Sequence, residues 1–327
     1  MTRKSKQPHE HNVKLVLDAK AENLYNKWMG SLSDHVESSR SISISEHDIR
    51  VIEVDVSRCA AHWDIHRHLS ISKRVTKRRQ LKNLIQLTGQ SVKGFRYYQG
   101  LHEVALVILE ISGDDVLKSL DLLQRIVKEV FMQFVLVDFH LSLLPMLQAI
   151  EFLVSKENIE LYECIAMSGG QYHFAVPWIL TWFAHSLDKF SEICFVFSFL
   201  IESSTKHDRS MIIYLCTAVI LLDAKRIMKN ADDTCHVLNC VHSSVRNVSL
   251  REAAKLAKDI RIRIPGHLVL QRLPHVKFLY ENDAESFMQS VRKLVPVALV
   301  LSVVASAFAF RANPLWDSVA CLWSNFE

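Results

Sequence analysis

The sequence predicts an all-α protein, and its composition and its periodicity both indicate that class. The chain has 327 residues but only 8 glycines and 7 prolines, so few residues interrupt helices over a length that can bury a substantial core. Hydrophobic residues make up 49% of the chain. Val13, Leu17, Leu24 and Trp28 recur at spacings that place them on one helical face. We therefore expect helices joined by short connections.

The apolar segments follow one another with little interruption. Residues 51–58 alternate apolar and polar side chains and fit either a short extended segment or the start of a helix. Pro145 and Pro177 are expected in first turns or at helix boundaries. The segments predicted to be helical are 13–28, 73–90 (with Leu81, Leu84, Ile85 and Leu87 inward), 101–111, 116–131, 141–154, 159–166, 174–185, 190–201, 211–222 and 249–260.

Charge and cysteine content argue against several functional classes. The formal net charge of +4 is too small to favour nucleic-acid binding, and the basic run at residues 73–79 is interpreted as a solvated helix face. The 7 cysteines are odd in number and scattered, which favours buried thiols in a reducing compartment over a disulfide framework. We expect no metal site. Cys235, His236, Cys240 and His242 match no standard zinc spacing, and His62, His66 and His68 are interpreted as facing solvent or a partner.

A second long apolar feature lies near the C-terminus. Residues 294–310 carry no charge, with Arg292 and Lys293 before them and Arg311 after them. As a helix this segment would span about 26 Å at ~1.5 Å per residue, close to the ~27 Å hydrocarbon of the endoplasmic reticulum. A buried core helix is the alternative, but apolar residues occupy every face of the segment. We expect a transmembrane anchor with the preceding chain in the cytosol, because residues 1–11 lack the apolar run of a signal peptide.

Two short motifs place chemically useful side chains at defined spacing. In the first, Ile52, Asp55 and Arg58 would share one helical face, so the carboxylate could orient the guanidinium; a plain surface ion pair of about 0–1 kcal/mol is the alternative. In the second, Gln99 and Gly100 lie at a boundary between a polar region and an apolar helix. That glutamine could position a catalytic water, or it could simply cap the helix.

Taken together, in this order and about forty residues apart, the motifs Ile52-x-x-Asp55-x-x-Arg58 and Tyr97-x-Gln99-Gly100 resemble the paired signature of TBC domains, the GTPase-activating domains for Rab GTPases. Two further features are similar to the TBC member 20 subfamily. They are His102-Glu103 directly after the second motif and the sequence Ile-Leu-Thr-Trp-Phe-Ala-His at residues 179–185. The apolar segment at residues 294–310 is a third shared trait.

The resemblance implies a two-lobed helical TBC fold and a site completed by a partner. Arg58 would be an arginine finger and Gln99 a glutamine finger, both supplied in trans to a Rab. GTP and Mg²⁺ would be carried by the Rab, and the chain would need no cofactor of its own. It would therefore be a GTPase activator rather than an enzyme with a complete site. The residues expected to support this site are Ile52, Asp55, Tyr97 and Gly100, with His102 and Glu103 as marks of the subfamily.

The implied organisation is a tail-anchored protein of the endoplasmic reticulum or early Golgi that acts on a Rab of transport between them. The alternative is a weak or inactive Rab-binding scaffold, motivated by departures from the family pattern at Leu24, where an arginine is usual, and at Ser198, where an aspartate is usual. The predicted segments are a polar tail (1–12), the TBC domain (13–235), a helical connecting arm (236–293), the anchor (294–310) and a lumenal tail (311–327).

Overall fold

The computed structural model describes residues 21–31, 44–59, 62–92, 94–131, 134, 139–167, 172–204, 208–229 and 234–280. Within these residues the chain forms α-helices, short 3₁₀ turns and connecting loops, so the all-α prediction is confirmed there. These residues belong to one compact unit that extends to Asn282.

The helices follow the chain closely, with short connections between most of them. Short 3₁₀ turns lie at Asp64–His66, Tyr172–Ala175 and Pro274–Leu279. The helices are α1 (21–31), α2 (Glu46–Arg58), α3 (Ile71–Ser91), α4 (Leu101–Ile111), α5 (Val116–Glu129), α6 (Phe139–Glu157), α7 (Ile159–Met167), α8 (Val176–Thr181), α9 (Phe190–Ser203), α10 (Met211–Leu222), α11 (Ala224–Lys229), α12 (Thr234–Asn247), α13 (Leu250–Arg263) and α14 (Gly266–Arg272).

Side-chain caps determine where several helices begin. Ser45 accepts a hydrogen bond from the backbone N–H of Asp48 and starts α2, so residues 51–58 are helical rather than extended. Ser70 caps α3 in the same way. At α5, Asp115 accepts from two backbone N–H groups of the first turn.

Helices α2 to α5 pack against one another; the first predicted motif lies on α2, and the second lies in the loop between α3 and α4. Helix α4 is buried along nearly its whole length. On α3, Leu81, Leu84 and Ile85 are buried as predicted, but Leu87 is 39% exposed, because it lies off the face that the other three share. The prediction for Leu87 was therefore wrong.

The second group of helices surrounds α10. Every residue of α10 from Met211 to Ile220 is buried, and α6 and α13 pack against it. The hydroxyl of Tyr214 donates to the carbonyl of Ile264 (2.8 Å), which joins α10 to the end of α13. The described part of the predicted connecting arm, residues 236–280, is largely helical and lies in the same compact unit as the preceding helices.

Two sequence predictions about individual residues need correction. Pro145 lies inside α6 rather than in a first turn, whereas Pro177 does lie in the first turn of α8. His66 does not face solvent: it is 6% exposed, and its Nε2 lies 2.6 Å from a carboxylate oxygen of Glu110. A histidine–carboxylate contact between segments distant in sequence leaves no periodic signal, so the pattern around His66 could not reveal it.

Some predictions lie outside the described residues. The apolar segment 294–310 and the tails at 1–12 and 311–327 are among them, as are the side chains of Cys235 and His236. Among the helices that the structure does describe, none is both long and apolar enough to cross a membrane. In the same residues, no group of three or more histidine, cysteine or acidic side chains is arranged to hold a metal ion.

Candidate functional site

The last turn of α2 brings a buried carboxylate next to an exposed arginine. Ile52 is fully buried and Asp55 is 2% exposed, whereas the side chain of Arg58 is 43% exposed. Arg58 Nη2 donates to Asp55 Oδ1 at 3.1 Å. A cation is also favoured at a helix C-terminus. Because one partner is buried, this pair is more restricted than the exposed ion pair that the sequence left as an alternative.

The second motif meets the first through the same carboxylate. Tyr97 Oη donates to Asp55 Oδ2 at 2.9 Å, so the two oxygens of Asp55 bind the two motifs separately. Gln99 lies two residues beyond Tyr97 and is exposed. Asp55 therefore links the exposed arginine to the loop that carries the exposed glutamine.

The hydrogen bonds around Tyr97 determine the tautomer of His102. Tyr97 Oη also lies 2.9 Å from His102 Nδ1. Since the one O–H of Tyr97 goes to Asp55, the Nδ1–H of His102 must donate to Tyr97. Burial lowers the pKa of His102, which favours the neutral imidazole with its proton on Nδ1, although a charged ring would donate from Nδ1 in the same way.

Gly100 has a backbone geometry that other residues rarely adopt. Its φ is +114°, and it is the N-cap of α4, accepting from the backbone N–H of Glu103 at 3.0 Å. A Cβ at this position would lie 3.1 Å from the Cγ2 methyl of Thr181. Glycine is therefore required here both by backbone conformation and by the approach of a neighbouring segment.

The neighbouring segment is the end of α8, which sequence analysis did not assign to the site. Tyr98, on the buried side of the Gln99 loop, donates to the carbonyl of Leu180 at 3.2 Å. The hydroxyl of Thr181 donates to the carbonyl of Pro177 and accepts the N–H of His185. The loop carrying Gln99 is thus held by α2 on one side and by residues 180–185 on the other.

The helix predicted over residues 174–185 is broken after Thr181, and this break allows residues 180–185 to contact the Gln99 loop and Glu103. Helix α8 ends at Thr181 because Trp182 and Phe183 adopt positive φ values of +49° and +66°. Both rings are buried, and Trp182 packs 4.8 Å from Phe131 between ring centroids. Packing of these aromatic rings accompanies a backbone conformation that non-glycine residues rarely adopt, so helical periodicity alone could not indicate the turn.

Glu103 is a buried carboxylate surrounded by histidines. It is 4% exposed, and its Oε1 lies 2.8 Å from His185 Nδ1 and 4.0 Å from His102 Nε2. Its Oε2 has no hydrogen-bond partner among the described residues. Burial alone would raise the pKa of Glu103, but the hydrogen bond and charge of His185 lower it overall. Glu103 is therefore ionised at neutral pH.

The predicted site residues are brought together by these contacts. Asp55, Tyr97, His102 and Glu103 form one polar cluster beneath Arg58 and the Gln99 loop, and Ile52 packs in the core below it. Leu180, Thr181 and His185 were missed as site residues. Their motif at 179–185 was visible, but only as a family mark, since nothing in its spacing says that it contacts Gly100 and Glu103.

Ser198 and Leu24, where the sequence departs from the family pattern, also acquire a structural setting. Trp28 is fully buried, stacks on Phe197 and donates from its indole N–H to Ser198 Oγ at 2.9 Å. Leu24 is half-buried one turn before Trp28 on α1. At this position a neutral hydrogen bond joins α1 to α9.

The basic run on α3 is partly engaged within the fold. Lys77 Nζ lies 2.6 Å from Glu110 and also contacts Asp114, and Arg74 donates to the carbonyl of Leu69 at 3.1 Å. A cavity of about 30 Å³ beside these residues and Cys59 has room for a water molecule rather than an organic ligand. The interpretation of this run as a solvated face therefore needs correction at Arg74 and Lys77.

Residues 14–228 match the family described as the Rab-GTPase-TBC domain. The GTPase-activating protein gyp10 of Schizosaccharomyces pombe is 29% identical over 184 residues, which cover 56% of this chain and 46% of that protein, so the chain spans less than half of that relative. The structure of the Ypt/Rab-GAP domain of Gyp1p superposes with a TM-score of 0.50 at 14% identity, covering 76% of this chain and 81% of that one. The flagellar RabGAP TBC domain of Chlamydomonas gives 0.49 at 13% identity, covering 72% and 71%.

Proposed function

The chain belongs to the Rab-GTPase-TBC domain family, and from that membership we propose that it is a GTPase-activating protein for a Rab GTPase. The observation that carries the proposal is the position of Asp55. This one buried carboxylate binds Arg58 through Oδ1 and the Tyr97 hydroxyl through Oδ2. An exposed guanidinium and an exposed carboxamide are thereby held on connected segments, as two groups supplied in trans would need to be.

In the proposed mechanism Arg58 enters the active site of the Rab. Phosphoryl transfer to water builds negative charge on the phosphate oxygens, and a guanidinium binds such charge in a site closed to solvent. An arginine finger contributes roughly 10³–10⁵ in rate in other GTPase systems. Asp55 limits the directions in which the Arg58 side chain can point before the Rab binds.

Gln99 holds the attacking water in this mechanism. A carboxamide can accept a hydrogen bond from the water and donate one to a phosphate oxygen, which keeps the water in line with the phosphorus. Its loop is held on both sides, by Tyr97 on Asp55 and by Tyr98 on the carbonyl of Leu180. GTP and Mg²⁺ belong to the Rab, so this chain supplies no cofactor.

We further propose a finer assignment to the TBC member 20 subfamily. This part of the proposal rests on His102-Glu103 and on residues 179–185. These two segments contact each other through the Glu103–His185 pair. The apolar segment at 294–310 would anchor the protein in the membrane of the endoplasmic reticulum or early Golgi with the TBC domain in the cytosol. The substrate would then be a Rab of transport between these compartments.

Single-turnover GTP hydrolysis by a panel of Rabs tests the proposed function. Wild-type protein should accelerate at least one Rab, and Arg58→Ala should lower that acceleration by about 10³-fold or more. Gln99→Ala should also remove most of it. Arg50→Ala, which removes an exposed arginine from the same helix, is the matched control and should keep the wild-type kcat. Acceleration that persists in both finger variants would refute the mechanism.

A Rab-binding scaffold without catalysis is the second candidate, and the departures at Leu24 and Ser198 favour it. The hydrogen bond between Trp28 and Ser198 favours the catalytic proposal instead, because α1 stays joined to α9 despite these departures from the family pattern. Measurement of binding to GTP-loaded Rab separates the two. Tight binding without any increase in the hydrolysis rate would support the scaffold.

A further inference from the structure

The polar cluster beneath the two fingers contains a second carboxylate, Glu103, in addition to Asp55, which binds Arg58 and Tyr97. Asp55 and Glu103 are both buried, and His102 lies between them, with Nδ1 3.7 Å from Asp55 Oδ2 and Nε2 4.0 Å from Glu103 Oε1. His185 Nδ1 lies 2.8 Å from Glu103 Oε1, the carboxylate that does not bind Arg58. Either histidine could therefore carry the positive charge that balances the negative charge of Glu103.

The choice of histidine has consequences for Arg58. If His102 carried the positive charge, it would face Asp55 as well as Glu103. The carboxylate of Asp55, which binds Arg58, would then have a second cation 3.7 Å from its Oδ2. If His185 carries it, His102 stays neutral and simply passes a hydrogen bond to Tyr97. Asp55 then remains the partner of Arg58 and Tyr97 alone.

We propose that His185 is a positioning residue for the arginine finger: by carrying the positive charge beside Glu103 it keeps His102 neutral and leaves Asp55 to orient Arg58. This inference rests on the proposed function for its catalytic consequence, but the placement of the proton is a property of the protein alone. His185 reaches no reacting atom in this scheme. It acts through Glu103, His102, Tyr97 and Asp55.

The surroundings of His185 support this placement of the charge. Its hydrogen bond to Glu103 raises the pKa of His185, whereas burial lowers the pKa of His102. Of the described groups near His185, His62 lies 6.1 Å away between ring centroids, and Arg246 and His242 lie on α12. The hydrogen bond to Glu103 has the largest effect and raises the pKa of His185 overall, although burial and the charge of Arg246 lower it. Asp188 is in an ion pair with Arg246 at 3.9 Å.

The decisive variant is His185→Asn, because the amide nitrogen of asparagine can replace Nδ1 as a hydrogen-bond donor without carrying charge. Glu103 should then draw a proton to His102. At about pH 6 we expect kcat for Rab GTP hydrolysis to fall about tenfold, with KM unchanged. Towards about pH 8.5 kcat should recover, because His102 loses that proton. A merely structural role would give a loss that does not depend on pH.

A second substitution tests the cause directly. In His185→Asn/Glu103→Gln the buried anion is absent, so His102 should stay neutral and kcat near pH 6 should return to within about twofold of wild type. His267→Asn on α14, an exposed position away from the cluster, is the matched control and should match wild type throughout. A double variant no more active than His185→Asn would overturn the proposal.

Titration of the histidine rings by ¹⁵N NMR gives a readout that needs no Rab. The pKa of His102 should rise in His185→Asn and return in the double variant; an unchanged pKa overturns the proposal even if no Rab responds to the wild type. If wild type accelerates a Rab and His185→Asn keeps the wild-type pH profile, the positioning role fails while the proposed function stands. Should His185→Asn fail to fold, His185→Gln replaces it in the same comparisons.

Discussion

Replacing Gly100 with alanine should both destabilise the fold and lower GTPase-activating activity. At φ +114° and ψ −25° the backbone lies outside the conformations that alanine adopts at low cost, which contributes about 1–3 kcal/mol. The new Cβ would also lie 3.1 Å from Thr181 Cγ2, closer than the ~3.5–4.0 Å of a favourable carbon contact. Overpacking of this kind costs about 1–3 kcal/mol, so the total is about 2–6 kcal/mol.

The chain offers a matched control for the backbone contribution. Gly113 also has a positive φ, +65°, but a Cβ there would meet nothing within 4 Å. Gly113→Ala should therefore cost only about 1–2 kcal/mol. Thr181→Ser isolates the steric contribution, because it removes Cγ2 but keeps the hydroxyl that binds Pro177 and His185.

Urea unfolding of wild type, Gly100→Ala, Thr181→Ser and Gly100→Ala/Thr181→Ser measures these contributions as a double-mutant cycle, with Gly113→Ala as the backbone control. Gly100→Ala/Thr181→Ser should be more stable than the sum of the single changes predicts, by about 1 kcal/mol. Single-turnover hydrolysis should show Gly100→Ala losing about tenfold in rate, because the loop must shift by tenths of an ångström next to Gln99. If Gly100→Ala costs no more stability than Gly113→Ala, the reasoning about this close approach is wrong.

Two further predictions concern stability. Ser198→Ala should lower the free energy of unfolding by about 1–3 kcal/mol, since the buried indole N–H of Trp28 loses its acceptor, whereas the exposed Ser57→Ala should stay within about 0.5 kcal/mol in the same urea assay. The hydrogen bond to Glu103 raises the pKa of His185, so the stabilisation by this pair should be complete below about pH 6.5 and lost as pH rises through that pKa. The difference in unfolding free energy between wild type and Glu103→Gln should therefore shrink between about pH 6 and 9. A difference that stays constant over this range would contradict the assignment.

Sequence patterns predicted the helices well because burial imposes a regular period on them. Helices α4 and α10 have the predicted bounds, 101–111 and 211–222. Errors occur where a single contact overrides the period. The turn after Thr181 is one case, held by the buried rings of Trp182 and Phe183.

The site could be predicted only in part for the same reason. Asp55, Tyr97 and Gln99 could be named as candidates because the two motifs are short and local in sequence, and the structure places Asp55 in contact with Tyr97. The support from Leu180 and His185 comes from a segment about eighty residues away and depends on tertiary packing. Their residue types were visible in the sequence, but their contact with the finger loop was not.

The arrangement of charge offers a physical reason for a site split between surface and interior. A finger must be exposed to enter a partner, yet a long exposed side chain has many rotamers, and fixing it costs about 1.5–2 kcal/mol. A buried carboxylate reduces that cost only while it is ionised and not neutralised by another cation. Asp55 can meet this condition because the second buried carboxylate, Glu103, has its own cation in His185. Two buried anions with separate partners therefore form a more dependable support for Arg58 than two anions that share one histidine between them.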